Sequence, residues 1–162
     1  MGERWDRRGL PHKGWSCAGM EDLGSAEGQC EMCGKEEIRY VHFMEHPEID
    51  GTLSVGCICA EKMEGEYGRD RTRAKRREAR LRNAAGRRQR WPELSGWKRS
   101  KKGNVHINKD GRRVVIFANG AKFKFLIEDA GQTEPYFSPR SYADIREAKL
   151  AAFDAFTYQQ ED

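Results

Sequence analysis

The spacing of apolar and polar residues changes character several times along the chain. Over residues 1–29, six glycines and scattered Trp5, Leu10, Trp15, Met20 and Leu23 keep neither a helical nor an alternating period, which predicts an irregular arm. The two tryptophans imply that the arm packs against something, because a wholly disordered tail rarely carries them. From Glu37 to His46 the β-branched and aromatic residues predict a strand, Pro47 to Gly51 a turn, and Thr52 to Gly56 the returning strand. After Cys59, the run Ala60-Glu61-Lys62-Met63-Glu64 suits the start of a helix, with acids in the first turn where the macrodipole favours them.

Gly65 and Gly68 interrupt that helix, and good helix formers resume from about Asp70 to Arg90. Tyr67, Ala74 and Leu81, seven apart, give one thin apolar stripe, so this helix is expected to be solvated or to order only on binding. Trp91-Pro92 ends it. Beyond Trp97, Val105 to Asn108, Arg112 to Ala118 and Ala121 to Ile127, separated by turns at Lys109-Asp110-Gly111 and Asn119-Gly120, predict a three-stranded antiparallel meander. Alternation assigns Val115, Phe117, Phe123, Phe125 and Ile127 to the face covered by a helix, and Arg112, Val114, Ile116, Lys122 and Lys124 to the outer face. That helix is expected to be capped by Ser141, with Ile145, Ala148, Ala152, Ala155 and Phe156 on its apolar side. The expected organisation is an arm (1–29), a hairpin module (30–64), a basic helical linker (65–92) and a ββ(β)α domain (93–162), an α+β chain.

Charge sharpens this picture. A chain of 162 residues with 37% hydrophobic and 35% charged residues is lean for one large core and suits two modest modules. Residues 69–90 hold eleven Arg or Lys against Asp70 and Glu78, a local net of +9, which leaves −5 on the rest of a chain whose net charge is +4. Such asymmetry points to a polyanion, DNA or RNA, met through Arg73, Lys75, Arg76, Arg77, Arg80, Arg87 and Arg88, with Lys122 and Lys124 added from the outer sheet face. Trp91 and Trp97 flank the run and could stack on unpaired bases, or be packing residues. The alternative from another class is an adaptor whose basic helix meets an acidic protein or a ribonucleoprotein. No apolar run has the length of a membrane span and no signal peptide precedes the first module, so a cytoplasmic location is expected.

The candidate chemistry lies in the cysteines. Cys30-Glu31-Met32-Cys33-Gly34 and Cys57-Ile58-Cys59-Ala60 bracket the predicted hairpin, and four thiols so placed in a reducing compartment predict a metal site, with Zn²⁺ the default because thiolates are soft ligands. On an extended strand Cys57 and Cys59 would share one side at roughly 6–7 Å between Cα atoms. A knuckle, a hairpin and a helix N-terminus carrying the last ligand make a treble-clef-like module, with a two-knuckle ribbon the close alternative. Cys17 and His12 in the arm could add a ligand but are expected to be bystanders. His42-Phe43-Met44-Glu45-His46 matches the H-x-x-E-H pattern of inverted zinc peptidases. That chemistry needs both histidines on one helical face; on a strand they lie about 13 Å apart. The expectation is therefore a chain that is not an enzyme.

Cys30 to Gly34, Ile38 to His42 and Val55 to Ala60 resemble a group of zinc modules in bacterial and phage proteins with a Cys-x-x-Cys-Gly opening and a Val-Gly-x-x-Cys-Ala close. The resemblance implies a zinc fold and no activity, and it leaves the fourth ligand open between Cys57 and His46. The three strands with the alanine-rich run Glu147 to Ala155 resemble the plant ethylene-response-factor DNA-binding fold and the arm-binding domains of phage tyrosine recombinases. That likeness implies an outer sheet face laid in the major groove.

Overall fold

Strand formation in the first half of the chain follows the aromatic and β-branched residues, and it extends further toward the N-terminus than their pattern predicts. The computed structural model describes residues 3–159; residues 1–2 and 160–162, the outer ends of the expected arm and second module, lie outside it. The chain divides into two compact units, one formed by residues up to Asn83 together with Tyr158 and Gln159, the other by Ala84–Thr157.

In the first unit, β1 (Ser16–Asp22), β4 (Tyr40–His46) and β5 (Ile49–Val55) form an antiparallel sheet in the order β1-β4-β5. The arm is thus not irregular throughout. Glycines and a bulge between Cys17 and Gly19 hide the alternation of β1. Its last residues are acids that the fold buries, with Asp22 accepting a guanidinium fork from Arg39 at 2.9 and 3.2 Å. Trp5 and Trp15 are buried, as the arm's composition implied. A short ribbon of β2 (Gly28–Gln29) and β3 (Glu37–Ile38) carries the first cysteine pair in its loop. After Gly56 comes α1 (Cys57–Met63), then α2 (Arg73–Asn83). The helix starts three residues earlier than expected, so Cys57 and Cys59 lie on its first turn and not on a strand.

The second unit contains α3 (Ala85–Arg90) and a five-stranded antiparallel sheet of order β10-β9-β8-β7-β6, made of β6 (Lys98–Arg99), β7 (Val105–Lys109), β8 (Arg112–Asn119), β9 (Lys122–Asp129) and β10 (Tyr136–Phe137). The three-stranded meander is the centre of this sheet, with a two-residue strand added at each edge. The β7–β8 turn is Asp110-Gly111, with φ of 51° and 77° as a type I′ turn requires. The C-terminal helix α4 (Ile145–Gln159) brings Ala148, Ala151, Ala152, Phe153 and Phe156 into one core with Trp91, Val105, Ile107, Val114, Ile116, Phe125 and Ile127.

Two expectations need correction here. A two-residue hairpin pairs residues of opposite parity, and the loop is Gly120-Ala121, so Val114 faces Ile127 and Ile116 faces Phe125. Arg112, Val114 and Ile116 therefore point to the core, while Val115 and Phe117 join Lys122 and Lys124 on the other face. Arg112 is buried, donates to the Phe156 carbonyl at 3.0 Å and lies 3.5 Å over the Phe156 ring. The cap of α4 is Asp144, not Ser141. The Asp144 carboxylate accepts the Glu147 N–H at 2.8 Å, and the Glu147 carboxylate accepts the Ala143 N–H at 3.2 Å, a reciprocal pair at the helix start. Among the described residues no helix is long and apolar enough to cross a membrane.

This register is testable. Ile116→Ala empties a core position and is expected to lower the unfolding free energy by about 2–5 kcal/mol, whereas Phe117→Ala on the open face costs less than about half as much. Urea denaturation of the two variants measures the difference, and equal losses contradict the face assignment.

Candidate metal centre

The loop of the β2–β3 ribbon is a knuckle built by its backbone. Cys30 N–H donates to the Glu36 carbonyl at 3.0 Å and Gly34 N–H to the Cys30 carbonyl at 2.7 Å, a tight turn that Gly34 permits with φ 73°. The Glu36 N–H points to Cys33 Sγ at 3.4 Å. Amides turned toward sulfur in this way stabilise negative charge on it. The knuckle is pinned to β5, since Glu31 N–H donates to the Ser54 carbonyl at 2.8 Å and the Glu31 carboxylate accepts the Ser54 N–H at 2.7 Å. On its other side, Arg4 N–H donates to the Met32 carbonyl at 2.9 Å, and the neighbouring Trp5 donates its indole N–H to Cys59 Sγ at 3.4 Å.

These constraints bring one ligand atom each from Cys30, Cys33, Glu36 and Cys59 within 4.8 Å of one another, close enough to hold a metal ion. Cys30 and Cys59 are buried. The Cys59 thiol donates to Cys30, and the Cys33, Gly56 and Met32 amides reinforce it, so the Cys30 thiol is lowered to about 5 while Cys59 is pushed up by the same hydrogen bond and by burial. The shared hydrogen bond favours the thiolate form at Cys30, the form that a cation binds. Burial, then the charge of Cys30, raises the Glu36 carboxyl. Gly56 is packed so closely on this carboxylate that an added Cβ would collide with it and with Ile38.

The fourth member of the group is Glu36, not Cys57 or His46. Residues two apart on a helix project about 200° apart, so Cys59 turns to the knuckle and Cys57 turns away. Cys57 lies instead with His42 and Glu78, and burial together with the Glu78, Glu61 and Glu36 charges raises its thiol to about 12. His46 lies against Trp15 at 5.2 Å between ring centres, and its Nδ1 accepts the Glu48 N–H at 3.1 Å. His12 is likewise engaged by the Trp5 carbonyl at 2.7 Å, and Cys17 bonds the Gly19 carbonyl. Among the described residues there is no disulfide.

His42 and His46 are both on strand β4, and the structure gives them separate surroundings. The His42 group holds an internal network. Arg77 Nε and Nη2 donate to His42 Nδ1 at 3.3 and 3.2 Å, which makes Nδ1 the acceptor and leaves Nε2–H to donate to Glu78 at 2.8 Å. With both nitrogens engaged and a guanidinium alongside, this histidine has no lone pair for a metal. Burial lowers its basicity further. Arg77 is 5% exposed and completes its fork on Glu64 with bonds of 2.9 and 2.8 Å.

The basic segment is therefore only partly a free surface. The buried stripe of α2 is Ala74, Arg77 and Leu81, and Arg77 fills the position between the two apolar residues that hydropathy alone leaves blank. Arg73 pairs with Glu66 at 3.3 Å, Lys75 lies 3.7 Å from Glu61, Arg82 lies 4.0 Å from Glu78, and Arg80 is half-buried. In the second unit Arg88 forks onto the buried Asp154 at 2.9 and 3.1 Å. Arg71, Arg76, Arg87 and Arg90 remain exposed with no ion-pair partner among the described residues. Trp91 is buried, and Trp97 donates its N–H to the Trp91 carbonyl at 2.8 Å beneath Lys149, so both tryptophans are packing residues.

Sequence reasoning missed Glu36 and the Arg77–Glu64–His42–Glu78 network. The spacing Cys30, Cys33, Glu36 repeats every three residues and could have signalled the first; Glu61 and Glu64 ahead of a run of arginines could have signalled the second. No protein-family model, no curated protein and no solved structure matches the chain.

Breaking a buried ion pair strands its partner, so Arg77→Ala is expected to cost about 3–5 kcal/mol. Arg76→Ala, one position along the same helix, should change stability by no more than about 0.5 kcal/mol. Thermal or urea unfolding distinguishes them, and a mild Arg77→Ala would mean that the network does not hold α2 in place.

Proposed function

We propose that this chain is a non-catalytic zinc protein of the cytoplasm that binds nucleic acid. The observation that carries the metal half is the convergence of three thiols and a carboxylate from two separate segments. Zinc suits that donor set, because it accepts soft thiolates with a carboxylate oxygen in a closed fourfold shell. Cys30, Cys33, Glu36 and Cys59 would hold it, and its charge would fix the knuckle to the first turn of α1. The chemistry it supplies is structural, since binding free energy becomes folding free energy when the site does not exist in the unfolded chain.

Protein purified without chelator is expected to carry one zinc per chain by elemental analysis. Cys30→Ser, Cys33→Ser or Cys59→Ser should lose it, and Cys57→Ser and His46→Ala should keep it. Glu36→Gln reports on the fourth position by weakening retention against a chelator. Wild-type protein without metal, or equal loss in Cys57→Ser, would contradict this assignment.

The nucleic-acid half is supported by the exposed guanidinium groups outside the internal ion pairs, Arg71 and Arg76 in the first unit and Arg87 and Arg90 in the second. Guanidinium groups suit phosphate oxygens but do not read sequence by themselves. The two such contacts of the first unit contribute about −2 to the slope of log affinity against log salt on duplex DNA, at roughly −0.9 for each phosphate neutralised. Arg71→Gln with Arg76→Gln should flatten it by about 2. Arg77 is unsuitable for this test because its loss damages the fold. A wild-type protein with no measurable affinity for DNA or RNA at low salt overturns the nucleic-acid reading in favour of a protein partner.

A further inference from the structure

The open face of the second unit's sheet carries aromatic rings among unpaired cations. The pairings Lys98–His106, His106–Val115, Val115–Leu126 and Leu126–Phe137 draw one row across all five strands, and the pair Phe117–Lys124 lies beside it. Phe137 is 53% exposed, and its ring meets Phe117 edge to face at 6.5 Å. An apolar patch left in water and rimmed by polar residues marks a contact surface.

The charges on this face indicate what it contacts. Lys98, Arg113, Lys122 and Lys124 point from it with no ion-pair partner among the described residues, against the single acid Glu128. Lysine is depleted from the centres of protein interfaces, where its hydrated ammonium is costly to strip. Cations around exposed aromatic rings are instead the combination that holds an unpaired polynucleotide: rings stack on bases, which all have a π-face, and ammonium groups follow the phosphates.

We propose that this face binds single-stranded nucleic acid, with Phe117 and Phe137 as base-stacking residues and Lys98, Lys122 and Lys124 as phosphate contacts. The inference deepens the nucleic-acid reading above and rests on it. It also distinguishes this sheet from one laid in a duplex groove, because stacking needs bases that are not already stacked on neighbours.

The test uses the full-length protein and labelled oligo-dT and oligo-U of about 16 nucleotides, the upper end of site sizes for single-strand binding folds, beside a duplex of the same length. Phe117→Ala with Phe137→Ala is expected to weaken both single strands about tenfold or more, leaving duplex affinity and the salt slope unchanged because no charge is removed. Phe137→Tyr, which keeps the ring, should retain affinity. Lys98→Gln, Lys122→Gln and Lys124→Gln together should flatten the single-strand slope by about 2, at roughly −0.7 per phosphate. If Phe117→Ala perturbs folding, Phe137→Ala alone carries the test. Single-strand affinity unchanged by the Phe137 and Phe117 substitutions overturns the platform even when duplex binding is strong. Absence of binding to every probe fails the broader nucleic-acid reading as well, so the two failures are distinct.

Discussion

Arg77 is a cation that the fold has taken out of water, and the arrangement of the first unit depends on how it is satisfied. Removing such a group from solvent costs several kcal/mol, offset only when its donors all find acceptors. Here Glu64 accepts from two of its nitrogens and His42 from a third. This fixes which side of α2 turns inward, fixes the tautomer of His42, and through His42 fixes Glu78. A lysine could not replace it, because an ammonium is a point charge and cannot fork to two partners in one plane. The basic run thus serves two purposes along a single helix, with one arginine holding it down and others left at the surface.

Cys57 and Cys59 show how a single backbone choice divides chemistry. Had the segment stayed extended, both sulfurs would have faced the knuckle. Once Gly56 is followed by a helix, Cys59 reaches Cys30 and Cys57 joins the acid-rich side beside His42 and Glu78. The same turn leaves room for Glu36 over the bare Cα of Gly56. Cluster membership was therefore decided by where the helix begins, a boundary that local residue preference specifies only to within a residue or two.

What could be read from the residues divides along the same line. The knuckle cysteines, the hairpin of β4 and β5, the meander and the apolar side of α4 were legible, because each follows from local spacing and turn chemistry. The strand at Ser16–Asp22 was not, since its partner β4 lies distant in the chain and its buried acids look like surface. The facing of β8 was misread because strict alternation fits either face; hairpin parity decides it, and Val114 with Ile116 rather than Val115 with Phe117 meets the core. Arg77 was counted as surface charge because burial of an arginine depends on Glu64 and His42, which no periodicity brings together.

The Asp110-Gly111 turn has a consequence for how the second unit assembles. Together with Gly120-Ala121 it joins β7, β8 and β9 so that each strand finds its partner within one hairpin, and closing such short loops takes little chain entropy. Hairpins of this kind form in about 1–10 μs. β1 in the first unit must instead pair across the entire knuckle to reach β4, a longer loop to close. Pairing within the meander is therefore local, and its two turns cost less chain entropy to close than the long loop between β1 and β4.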